Sequence, residues 1–185
     1  YILIIFGILS LLEFVQINSK IFSNIIYKYF INAFFTVYLI IFCIFIFYCS
    51  NILQLKIIIF LLLFGCIASD VGGFIVGKTF KGPKLTKISP NKTYSGAIGS
   101  FLFTFLILSI FIFIFKAKFS YNVVILSFFT SLSCQIGDLF FSFLKRKAQI
   151  KDTGNFLPGH GGILDRVDGM LFGVPVGFIT LALTY

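Results

Sequence analysis

The chain has 185 residues, a mean hydropathy of +1.07, 59% hydrophobic side chains and only 11% charged ones, a composition that excludes a soluble globular domain and fits a polytopic membrane protein. Fifteen Lys and Arg against six Asp and Glu give a net charge of +9. Those cations sit in short connections between apolar runs, so the excess reads as a topology signal and not as a footprint for nucleic acid.

Taken in order, apolar runs near residues 1 to 17, 30 to 49, 55 to 76, 95 to 115, 121 to 141 and 168 to 185 predict about six transmembrane helices. A crossing takes roughly 20 apolar residues, so six crossings use most of the chain and leave a single all-α transmembrane domain spanning 1–185. A closed barrel would alternate apolar with polar residues, and these runs are apolar on every side. The chain opens at Tyr1, and its first run lacks the basic flank and cleavage site of a signal peptide, so an N-terminal segment is expected to be missing. The first 60 residues carry a lone acid, Glu13. Cys43, Cys49, Cys66 and Cys134 lie in apolar runs without paired metal-ligand spacing and read as small buried hydrophobes.

The third run carries Ser69-Asp70 toward its end, with Gly72 and Gly73 beyond them, and is followed by Gly77 and a lysine-rich connection from Lys78 to Lys92. The fifth run carries Asp138. The stretch from Ser142 to Asp168 then concentrates five cations, three carboxylates, the single histidine and four glycines in 27 residues. Gly169, Gly173 and Gly177 open the last run at four-residue spacing, which suits close helix contact, as does the earlier glycine set. With six spans the connections alternate between two sides. One side takes twelve Lys and Arg and the other takes three, Lys56, Lys116 and Lys118, so the 78–92 and 142–168 connections are both expected on the cytoplasmic face, with both termini opposite.

An Asp within a membrane span costs several kcal/mol unless something pairs with it, so Asp70, Asp138, Asp165 and Asp168 each need an explanation. Asp165 and Asp168 are three apart and share a helix face. Three helices can thus aim carboxylates at one polar pocket beside phosphate-binding cations. That grouping suits Mg²⁺, a hard ion that shares oxygen ligands with substrate phosphates. The alternative is that each Asp pairs with a Lys or Arg to anchor a helix end. Lys145, Arg146, Lys151 and Arg166 could hold phosphates, Arg bidentately and Lys as a point charge; the alternative for them is attraction to anionic headgroups. No Walker or Rossmann glycine pattern is present to bind a nucleotide by itself.

The order Ser142, Lys145-Arg146, Lys151-Asp152, Gly154, Pro158, His160-Gly161-Gly162, Asp165-Arg166 and Asp168 resembles the signature of the phosphatidate cytidylyltransferases, the CDP-diacylglycerol synthases. Ser69-Asp70 and the segment Ser89-Pro90, Lys92-Thr93 resemble two further elements of that family, although Tyr94-Ser95 stands where Trp-Glu is common. The matches cover about the C-terminal two thirds. The resemblance implies transfer of the cytidylyl group of CTP to phosphatidic acid, with release of pyrophosphate, in phospholipid synthesis. It implies Mg²⁺ on Asp138 and Asp165, with Asp168 as a further ligand, and catalytic roles for Asp138, Asp165, Lys151 and Asp168. Substrate contacts are expected from Ser69, Asp70, Lys92, Lys145, Arg146, His160 and Arg166. His160 is read as a proton carrier or as a loop-shaping hydrogen bonder. The expected location is the bacterial inner membrane, with CTP and membrane lipid as partners, no nucleic acid, and a homodimer left open. Rival readings are a CTP-dependent lipid kinase of the polyprenol or phytol type and a cation transporter with intramembrane Asp residues.

Overall fold

A computed structural model describes residues 2–86, 88–89, 91–116, 121–154 and 161–184. Six helices follow one another: α1 (Ile2–Ile21), α2 (Ile25–Asn51), α3 (Leu53–Phe80), α4 (Tyr94–Lys116), α5 (Asn122–Lys147) and α6 (Leu164–Thr184). All six are long and apolar enough to cross a membrane, and no strand occurs among the described residues. The molecule is an integral membrane protein, with large exposed side chains such as Phe30, Phe34 and Phe47 forming the surface that lipid would cover.

Every expected span is present, but the helices outrun the apolar segments. α3 continues ten residues beyond Asp70, and α5 nine residues beyond Asp138, so neither carboxylate sits at a helix end as the hydropathy suggests. Apolarity marks what lipid must contact; the backbone ladder continues wherever its carbonyls find partners. At the end of α5, Ile150 N–H bonds Lys145 C=O at 3.0 Å and Gln149 N–H bonds Arg146 C=O at 3.1 Å, with Gln149 at φ 57°. This is a Schellman cap formed without the usual glycine. Lys145, Arg146 and Lys147 therefore occupy the last helical turn, where the helix dipole favours cations, and not a loop.

Small residues set the helix spacing. A Cβ on Gly99 would lie 2.4 Å from Val76 Cβ and 2.7 Å from the Gly72 carbonyl, so α3 and α4 touch backbone to backbone. On α6, a Cβ on Gly173 would meet the sulfurs of Cys134 and Cys66, and one on Gly177 would meet Leu62 and Thr130. The two glycine sets thus serve packing, as their spacing predicts. The cysteines there are free and buried.

Pro175 lies inside α6 and cannot donate to the carbonyl four residues back, that of Leu171. Tyr38 of α2 supplies the missing donor, its hydroxyl bonding that same carbonyl. A backbone acceptor freed in an apolar bundle is thereby satisfied by a neighbouring helix.

Candidate active site

One end of the bundle holds a cavity of about 360 Å³. Asp70 and Gly73 of α3, Gln135, Asp138 and Leu139 of α5, and Asp165 and Asp168 of α6 line one side of it; Ser89, Asn91, Lys92 and Thr93 line the other. Described residues of the 81–93 connection and the start of α6 therefore share one end of the molecule. Four of the six carboxylates in the chain face this one space.

The 81–93 connection is shaped by a short antiparallel pairing. Leu85 N–H bonds Lys92 C=O at 2.7 Å, and Tyr94 N–H bonds Pro83 C=O at 3.1 Å. The Thr93 hydroxyl accepts the Gly96 N–H at 3.1 Å, capping α4 and fixing the residue next to Lys92. Ser95, at the position where the resemblance expects an acid, spends its hydroxyl on Lys81 C=O and Thr93. Lys92 reaches across the cavity and ion-pairs with Asp138.

Asp165 is held differently. Its Oδ1 accepts the Lys145 ammonium at 2.6 Å, a pair with little solvent exposure on either side. Its Oδ2 accepts Thr153 N–H at 2.8 Å and Gly162 N–H at 3.2 Å, and lies 3.0 Å from the Thr153 hydroxyl. Asp165 thus pins the loop ahead of α6 to the start of that helix. Gly161, at φ 81°, adopts a conformation that glycine tolerates best.

Asp70, Asp138 and Asp168 repel one another across the cavity, with Lys92 and Lys145 offsetting part of their charge. Among the described residues no three acidic, histidine or thiol groups converge closely enough to hold a metal by themselves. Mg²⁺ commonly takes only one or two carboxylates and completes its shell with phosphate oxygens and water, so mutually repelling carboxylates with room between them fit that ion and not a closed protein cage.

The sequence-derived residues divide on this geometry. Asp70, Lys92, Asp138, Asp165 and Asp168 line the cavity, and Lys145 joins it through Asp165. Ser69 is buried behind it, 3.2 Å from Ser131 Oγ, which Gln135 also contacts at 3.2 Å. Arg146 turns back to Ile150 C=O, and Lys151 and Arg166 are exposed and outside the lining. His160 and Pro158 lie outside the described residues. Sequence reasoning missed Thr153 and Gln135, polar residues whose types carry no chemical signature, and Glu13, whose partners are far away in the chain.

An integral membrane bundle with an acidic, lysine-flanked cavity at one end is the class that fold and site define. A profile of the Cytidylyltransferase family matches residues 1–184, and the chain belongs to that family. It is 40% identical over 126 residues to the phosphatidate cytidylyltransferase of Mycobacterium leprae (strain TN), a match covering 68% of this chain and 40% of the relative. Against the protein of that name from Bacillus subtilis (strain 168) it is 42% identical over 118 residues, 63% of this chain and 44% of the relative. Against that of Rickettsia felis (strain ATCC VR-1525 / URRWXCal2) it is 44% identical over 128 residues, 64% and 56% respectively. The chain spans about half the length of these relatives.

Proposed function

We propose that this protein transfers the cytidylyl group of CTP to phosphatidic acid, giving CDP-diacylglycerol and pyrophosphate. The observation that carries the reading is the convergence of Asp70, Asp138, Asp165 and Asp168, from three helices, with Lys92 on one cavity, in a chain whose relatives are named phosphatidate cytidylyltransferases. A phosphate oxygen of phosphatidic acid attacks the α-phosphorus of CTP, and the bond from that phosphorus to the bridging oxygen of the β-phosphate breaks. Phosphatidate is already an anion at neutral pH, so no strong general base is needed.

Such chemistry depends on placing reactants in line and neutralising charge on oxygen. Asp138 and Asp168, with Asp70 facing them, would hold Mg²⁺, and Asp165 would join by exchanging its bond to Lys145. When bound, the ion would supply charge neutralisation at the phosphates. Lys92, now paired with Asp138, would turn to a phosphate oxygen, and Lys145 is the second cation within reach of the cavity wall. Phe74, exposed on the bundle surface, and Leu139 give the cavity an apolar flank toward lipid, which suits a substrate with acyl chains.

The twelve-to-three cation count supports a cytoplasmic cavity in the bacterial inner membrane, where CTP is available. Purified protein given phosphatidic acid, Mg²⁺ and CTP labelled at the α- or the γ-phosphorus tests the reading. Label should enter lipid from the α position alone. Lipid labelled from the γ position would identify a CTP-dependent lipid kinase, and no transfer with cation flux would identify a transporter.

A further inference from the structure

Helix α6 begins without a cap of its own. The residues ahead of Leu164 are Gly161, Gly162 and Ile163, none of which carries the side-chain oxygen that ordinarily takes the first free N–H groups of a helix. The oxygens come from α1. Glu13, fully buried, accepts Ile163 N–H on Oε1 at 2.9 Å and Leu164 N–H on Oε2 at 2.8 Å. The Thr153 hydroxyl lies 2.7 Å from the same Oε2 and, on its other side, 3.0 Å from Asp165 Oδ2.

The loop is built to admit this carboxylate. A Cβ on Gly154 would come 2.7 Å from Glu13 Oε1; one on Gly162 would come 2.5 Å from Glu13 Oε2 and 1.9 Å from Thr153 Oγ1. Two glycines of the 142–168 stretch are therefore small because Glu13 passes between them. A buried acid is costly unless paired, and here the positive end of the α6 dipole and two amides receive it. On the flank, Phe14 stacks on Phe35 at 3.7 Å and Phe35 meets Phe141 edge-on, so α1 is held against α2 and α5 beside the clamp.

From this geometry we infer that Glu13 is a positioning residue of the active site: it clamps the start of α6 and Thr153, and so fixes where Asp165 and Asp168 stand in the cavity. The inference rests on the proposed cytidylyl transfer for its kinetic readout. Glu13→Gln keeps the size of the side chain but sets an amide N–H₂ against backbone N–H groups. It should lower kcat about ten- to a hundredfold, as small displacements of catalytic groups do, with KM for CTP changed less than about threefold. Glu13→Asp, which keeps the charge, should recover part of the loss.

The experiment is steady-state kinetics on wild type, Glu13→Gln, Glu13→Asp, Thr153→Val and Asn18→Ala, with hydrogen exchange followed at Ile163 and Leu164. Asn18 is buried on the same helix but ties α1 to Lys28 C=O and Asn32, away from the cavity. Asn18→Ala should lower thermal stability and leave kcat unchanged. Glu13→Gln should speed exchange of both amides; if it does not fold, Thr153→Val, which removes the hydroxyl that bridges Glu13 and Asp165 and keeps the backbone bond to Asp165, should show the same kcat loss. Unchanged kcat in the Glu13 or Thr153 variants, amides as protected as in wild type, or an equal kcat loss in Asn18→Ala would each overturn the inference. A wild type that makes no CDP-lipid would instead remove the proposed function, and the exchange rates would then decide the clamp alone.

Discussion

Lys92 and Asp138 form an ion pair across the cavity, joining the 81–93 connection to the middle of α5. Both side chains line the cavity proposed above to take the nucleotide phosphates. Lys92 is therefore expected to exchange a carboxylate for a phosphate during turnover. Lys92→Gln should cost about 1.5 to 3 kcal/mol of transition-state stabilisation, about ten- to a hundredfold in kcat/KM, the range for a charge-assisted hydrogen bond. Lys147→Gln is the comparison: its ammonium lies over the Phe22 ring, away from the cavity, and its loss should leave kcat/KM near wild type.

The Lys145–Asp165 pair is poorly exposed, so removing one partner strands the other. Lys145→Met should destabilise the protein by about 3 to 5 kcal/mol, read as a loss of thermal stability in detergent. Adding Asp165→Asn should recover part of that stability while activity stays low. Additive stability losses would mean that the two side chains do not depend on each other.

Tyr38→Phe should cost about 1 to 3 kcal/mol, because it leaves the Leu171 carbonyl without a donor. The cost belongs to Pro175. In a Pro175→Ala background the residue at 175 regains an N–H that can bond Leu171, and the same Tyr38→Phe change should then be nearly neutral. An unchanged cost would show that the hydroxyl acts elsewhere.

At the contact of α3 and α4, Gly99→Ala should destabilise by about 1 to 3 kcal/mol, since the new methyl meets Val76 and a backbone carbonyl that cannot swing aside. Thermal unfolding of Gly99→Ala beside a change at lipid-facing Phe30 separates this from a general loss of hydrophobic area. Equal stability of the two variants would contradict the close approach.

The spans were legible because hydropathy reports lipid contact, and the grouping of carboxylates was legible because Asp165 and Asp168 share a face while Asp70 and Asp138 lie on helices that can bring them to the same end. Helix ends were not. α5 closes on Gln149 at positive φ, and no glycine announces that stop. Among the cations, Lys92 and Lys145 reach carboxylates of the cavity, whereas Arg146 and Lys151 do not, a distinction that depends on rotamer and helix phase and that residue type cannot carry. Glu13 was the least legible: a single acid in an apolar run, it pairs with backbone amides 150 and 151 residues away.

Cytidylyl transfer to lipid, measured with α-labelled CTP, phosphatidic acid and Mg²⁺ on wild type and Asp138→Asn side by side, bears most directly on the cavity as the seat of catalysis. Asp138 lines that cavity, and replacing it removes the charge that would hold the metal while leaving the helix intact. Wild type should form CDP-diacylglycerol, and Asp138→Asn should be slower by about two orders of magnitude or more at equal thermal stability. Near wild-type transfer by Asp138→Asn at limiting Mg²⁺ would contradict the account.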